Sequence, residues 1–122
     1  MKPLKKKKES RKKIIKNLDS TFSKFIIKRD GKCVICEKTE NLSAGHLISR
    51  SCYAVRWDER NVFVQCRGCN LLHEFRPERF TLWFLNKFGL EQYQKLCEDS
   101  KQQKKFSNNL LKEMADRYGM QL

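Results

Sequence analysis

Two C-x-x-C pairs, Cys33-Val34-Ile35-Cys36 and Cys66-Arg67-Gly68-Cys69, constrain what this chain can fold into more than any other feature. Each pair can present two thiolates to one tetrahedral zinc ion at about 2.3 Å. Gly31 ahead of the first pair and Gly68 inside the second suit the tight turns such knuckles need. A thioredoxin-like redox site expects a single C-x-x-C in a βαβ setting, and neither condition is met. Cys33, Cys36, Cys66 and Cys69 are therefore expected to hold one structural Zn²⁺, while Cys52 and Cys97 are expected to be ordinary thiols. The staple matters because the core must be small. Only 39% of the 122 residues are apolar and 34% are charged, although eight Phe, two Trp and three Tyr carry much apolar area. Short chains with small cores often need a metal to hold them.

The charge is uneven. Residues 1–16 contain nine Lys or Arg against one Glu, a local balance of +8 out of +13 for the whole chain. The run Lys5-Lys6-Lys7-Lys8 cannot pack, so residues 1–13 are expected to form a disordered basic arm. Such an arm attracts phosphate backbones by releasing their counterions. A solubility tail and an anionic membrane surface are the other readings, and the absence of an apolar face disfavours the membrane. No apolar run is long enough to span a bilayer, and no apolar h-region follows the first lysines. A cytoplasmic protein with DNA as its partner and no membrane is expected.

Apolar spacing predicts a helix over about 10–29, through Ile14, Ile15, Leu18, Phe22, Phe25 and Ile26, ended by Asp30-Gly31. Two β-type runs follow, Cys33-Val34-Ile35 and Val62-Phe63-Val64. A short helix over 67–76 is expected to stop before Pro77, which can open the next. That next helix carries Phe80, Trp83, Phe84 and Phe88 and stops at Gly89. Leu90, Tyr93, Leu96 and Cys97 predict another, and Ser107 caps a last one bearing Leu110, Leu111, Met114 and Tyr118. The expected fold class is α+β: a zinc-stapled ββα centre at about 31–76, an N-terminal helix before it and C-terminal helices at about 77–119. All of this forms a single domain over 14–122.

The two pairs are 29 residues apart, longer than a simple zinc ribbon needs. The insert holds Gly45-His46-x-x-Ser49-Arg50 and Arg56-Trp57-Asp58-Glu59-Arg60-Asn61, and the string runs on as Gln65-Cys66-x-x-Cys69-Asn70 with His73 one helical turn beyond Asn70. A His, an Asn and a second Asn against a C-x-x-C pair resemble the HNH, or ββα-metal, nuclease motif. The fuller string resembles the lambda NinG (Rap) family of phage recombination endonucleases over about residues 20–100, most specifically over 33–73. The resemblance implies a metal-dependent DNA endonuclease, structure-specific for Holliday junctions or other branched DNA.

On the same resemblance His46 is the general base and Asn61 holds the strand that bears it. Asn70 ligates a catalytic Mg²⁺ or Mn²⁺. His73 is a second ligand or a phosphate donor, unless it simply faces solvent, and Glu74 is a further ligand candidate. Many HNH nucleases carry a metal-binding Asp before the catalytic His; this chain has Gly45, as the NinG-like pattern does.

Arg50, Arg56, Arg60 and Arg67 surround the motif in sequence and are expected to contact DNA, since guanidinium forks match phosphate. Trp57 is either core packing or a base-stacking group. The alternatives are an HNH nuclease that nicks or restricts plain duplex, and a zinc module that binds DNA without cutting. Two opposed nicks are needed to resolve a four-way junction, so a homodimer is expected. The stripes Phe80, Trp83, Phe84, Phe88 and Leu110, Leu111, Met114, Tyr118 face either a second subunit or each other.

Overall fold

Ile14, Leu18, Phe22 and Ile26 recur every fourth residue and make one face of a helix, α1 (Arg11–Asp30), buried along that face. Ser10 caps it, its hydroxyl accepting from the Lys13 amide at 3.2 Å. Gly31 ends it at φ 74°, donating its amide to Ile27 O. A side chain there would be strained by the left-handed conformation. A computed structural model describes residues 9–122. Most of the expected basic arm, Met1 to Lys8, lies outside the described residues. The expected arm boundary at residue 13 is corrected: Arg11, Lys12 and Lys13 form the first turn of α1.

After the first cysteine pair comes β1 (Leu42–His46), then a four-residue helix α2 (Tyr53–Arg56) and β2 (Val62–Cys66). The two strands pair antiparallel, from Leu42 opposite Cys66 to His46 opposite Val62. The expected strand at Cys33-Val34-Ile35 is not one. That segment is a turn in which Cys33 donates its amide to Lys38 O, and Val34 donates to Val64 O and so hangs on β2. The metal-knuckle turn overrides the β propensity of Val and Ile.

Four more helices complete the chain: α3 (Arg67–Phe75), α4 (Glu78–Phe88), α5 (Leu90–Ser100) and α6 (Asn108–Gly119). Ser107 caps α6 by accepting from Leu110 N at 3.1 Å. The fold is thus mixed, helices around one small two-stranded sheet. No helix among the described residues is long and apolar enough to cross a membrane.

The sheet separates two cores because alternate strand residues face opposite sides. Val62 and Val64 point into a core with α1, Trp57, Leu111, Met114 and Ala115. Phe63 points into the other, with Leu47, Val55, Phe80, Phe84 and Leu96. The apolar stripes of the C-terminal helices therefore pack mostly within the chain, with Leu110 exposed and Trp83 and Phe88 partly buried. Leu111 and Met114 pack on α1, Tyr118 meets Phe22 edge-on at 4.9 Å, and Phe80 and Phe84 close over Phe63. Most of the apolar surface offered as a means of dimerisation is taken up by intramolecular packing.

Candidate metal and catalytic centre

Cys33 and Cys36 come from the turn after α1; Cys66 ends β2 and caps α3, and Cys69 lies in the first turn of α3. Pairing of β1 with β2 and the Val34–Val64 bond bring the two knuckles together. The four sulfurs lie within 4.8 Å of one another, Cys36 Sγ and Cys66 Sγ at 3.5 Å. Thiolates about 2.3 Å from a tetrahedral ion stand about 3.8 Å apart, so the cluster could hold a structural metal such as zinc. Cys36 N and Cys69 N each point at the sulfur three residues back, Cys33 and Cys66, at 3.5 Å. Amide donors of this kind stabilise thiolates. Cys52 and Cys97 lie outside the cluster.

His46 ends β1 on the α1 side of the sheet. Its Nε2 lies 2.8 Å from Arg56 O. A carbonyl only accepts, so Nε2 carries the proton and Nδ1 holds the lone pair. Burial pulls the imidazole below its ordinary 6.5, while the Arg56 carbonyl and nearby Asp19 pull it back up and Arg50 pushes it down. The neutral ring prevails at pH 7.

Asn61 is fully buried and ties down the chain that leaves His46. Its Oδ1 accepts from Ile48 N at 2.7 Å, and its Nδ2 donates to Ile48 O at 2.9 Å and Val55 O at 3.1 Å. Its own carbonyl accepts from Leu47 N at 2.8 Å. One carboxamide thus spans the ends of the 47–61 excursion. An Asp there would bury a charge and forfeit both donors.

Asn70 and His73 stand on α3, which follows β2 directly and packs against both strands of the hairpin. Asn70 Oδ1 lies against Gly45, 3.1 Å from where a Cβ would be. His73 is half-buried: its ring meets Phe80 edge-on at 5.0 Å, and its Nδ1 is buried with no partner among the described residues. A carboxamide oxygen is suited to a small divalent ion, so Asn70 fits one. Glu74 is exposed and lines a surface hollow with Asn70, Ser43 and Arg67.

Two of the four expected DNA-contacting arginines are engaged elsewhere. Arg56 is buried, and its fork grips Asp19 of α1 through Nε at 3.1 Å and a terminal nitrogen at 2.5 Å. It fixes α2 on α1. Arg60 bridges Asp58 and Asp99, 2.6 and 2.8 Å, which occupy its fork. Arg50 and Arg67 are exposed, and no ion pair involves them among the described residues. Trp57 is core, not a stacking platform: it is buried, donates Nε1 to Asp19 at 2.9 Å and packs on Phe106.

Sequence reasoning missed Asp19, which holds Arg56 and Trp57 and thereby the carbonyl that orients His46. An acidic residue on the edge of an amphipathic helix gives no signal of such a role. Gln65 belongs to the motif string but received no role there, although it is a polar residue inside the run Val62-Phe63-Val64 and Cys66.

Fold and site define a class: small α+β proteins in which a hairpin and the helix after it are stapled by four cysteines able to hold zinc. Within that class the chain belongs to the bacteriophage lambda NinG protein family, which it matches over residues 1–122. It is therefore a member of a phage protein family. No curated protein and no solved structure gives a significant match.

Proposed function

We propose that the chain is a metal-dependent DNA endonuclease of the HNH type, structure-specific for branched DNA in recombination. The observation that carries the reading is the His46 ring. Nε2–H is committed to the Arg56 carbonyl, burial favours the neutral form, and Nδ1 is left as a base at the end of a strand. Asn61 then keeps the strand end in place, and the four-cysteine staple fixes α3 on the hairpin.

In the reaction Nδ1 takes a proton from a water whose oxygen forms a bond to the scissile phosphorus. The P–O3′ bond breaks, and the 3′-oxygen leaves with its electron pair and is protonated by solvent. A bound Mg²⁺ or Mn²⁺ would supply charge stabilisation for the oxygens around phosphorus. Asn70 is the residue to hold it. His73 shares its surroundings with Arg76 and Arg79, which favours the phosphate-binding role over ligation. Arg50, Arg67 and the basic N-terminal segment contact the DNA backbone, and two copies act on one junction as a homodimer on the DNA.

Membership of the phage family and the likeness to its recombination endonucleases support branched substrates over plain duplex. The test is incubation of labelled Holliday junction, flap and linear duplex with protein and Mg²⁺ or Mn²⁺. Preferential cutting of the junction is expected. Equal cutting of linear duplex leaves a general nicking or restriction-type nuclease, and binding without product leaves a zinc DNA-binding module.

A further inference from the structure

Gln65 is 1% exposed, and its Oε1 has no hydrogen-bond partner among the described residues. An unpaired buried carbonyl destabilises a fold, a cost that an apolar side chain of similar shape would avoid. Its surroundings give the reason for its presence. A Cβ at Gly45 would stand 2.4 Å from Gln65 Oε1 and 3.1 Å from Asn70 Oδ1. The first distance is too short for any side chain at position 45 to coexist with this Gln65 conformation. Gly45 is thus the clearance that admits the Gln65 carboxamide against the strand.

Two carboxamide oxygens, one from β2 and one from α3, therefore lie within 3.1 Å of a single point beside β1. Both are hard donors with no proton to lose, the ligand type a small divalent cation takes. The other side of Gln65 is a cavity of about 10 Å³ that His73, Arg76 and Arg79 also line. Two guanidiniums repel a cation from that side, so an ion belongs on the Gly45 and Asn70 side.

We propose that Gln65 is a second protein ligand of the divalent cation held by Asn70, with Gly45 kept small to make room for it. This rests on the cation site of the proposed function and gives a role to a residue that the motif reading left without one.

The test is Mn²⁺ titration of the full-length, zinc-loaded protein, with free Mn²⁺ read by electron paramagnetic resonance, for wild type, Gln65→Leu, Gln65→Glu and Asn70→Ala. Gln65→Leu is expected to weaken Mn²⁺ binding by at least about tenfold. Its zinc content should be unchanged, and its melting temperature without Mn²⁺ should be unchanged or higher. A merely structural glutamine would give the opposite pair, lower stability and unchanged Mn²⁺ affinity. Gln65→Glu, which keeps the length and adds charge, is expected to bind Mn²⁺ more tightly, and it decides the matter if Gln65→Leu does not fold. Wild-type affinity in both Gln65 variants, with Asn70→Ala weakened, would overturn the Gln65 assignment and leave the cation site standing. A wild type that binds no Mn²⁺ would overturn the site itself.

Discussion

At the residue scale the chemistry depends on how each polar group is engaged. Arg56 looked like a phosphate contact because it sits in a basic, motif-rich segment. In the fold its charge is used against Asp19, and its carbonyl, not its guanidinium, serves the site by fixing the His46 tautomer. Asp19→Ala would leave a buried guanidinium unpaired, at a cost of about 3 kcal/mol. It should also loosen His46, so both melting temperature and cleavage rate are expected to fall. A full rate in a destabilised variant would detach Asp19 from catalysis. The His46 pKa lies below 6.5 in the fold. The unfolded chain therefore binds more protons between the folded value and 6.5, and the stability that His46 contributes declines as pH falls through that window. The acid limb of the cleavage profile should likewise lie below 6.5, as measured by single-turnover rates from about pH 5 to 8, the range in which a histidine titrates. A limb above 6.5 would contradict a buried neutral base.

At the scale of elements the zinc staple is expected to be a folding device. Four thiolates leave no open position, so metal binding is folding free energy, of order 10 kcal/mol. Cys36→Ala should lose zinc and cooperative melting of the centre together; intact melting with no zinc by elemental analysis would make the cluster dispensable. Much of this layer was legible. α1 and α3 to α6 announce themselves by apolar spacing, by the cap Ser107 and by the stops Gly31 and Gly89. β1 was implied only by the resemblance, since Leu-Ser-Ala-Gly-His has neither β-branched residues nor alternation. It is a strand because β2 pairs with it and Gly45 must pass under Gln65 and Asn70. The sequence also could not reveal that Asn61 would bond three backbone groups across the 47–61 excursion, since those partners are set by tertiary closure. Its motif position was readable; its geometry was not.

At the scale of the whole molecule, charge and partner come together. The described fold uses its apolar stripes internally, so self-association in the absence of DNA has no large apolar surface from those stripes to draw on. Light scattering is expected to give a monomer free and two protomers per four-way junction; a stable dimer without DNA would contradict that. Deletion of residues 1–9, which ends just before the Ser10 cap and spares α1, removes five lysines and one glutamate. For every phosphate that these lysines neutralise in the wild type, the log–log salt slope of duplex binding should become shallower by about 0.9. An unchanged slope would make the basic segment a solubility tail.

The central claim is that His46 is the base of a nuclease. Single-turnover cleavage of a labelled four-way junction at saturating protein and Mg²⁺, wild type beside His46→Ala, tests it most directly. The variant is expected to keep zinc, melting temperature and junction affinity while its cleavage rate falls by about 10²–10⁴-fold. A His46→Ala protein that cuts at the wild-type rate, or a wild type that binds the junction and never cuts it, would contradict the account.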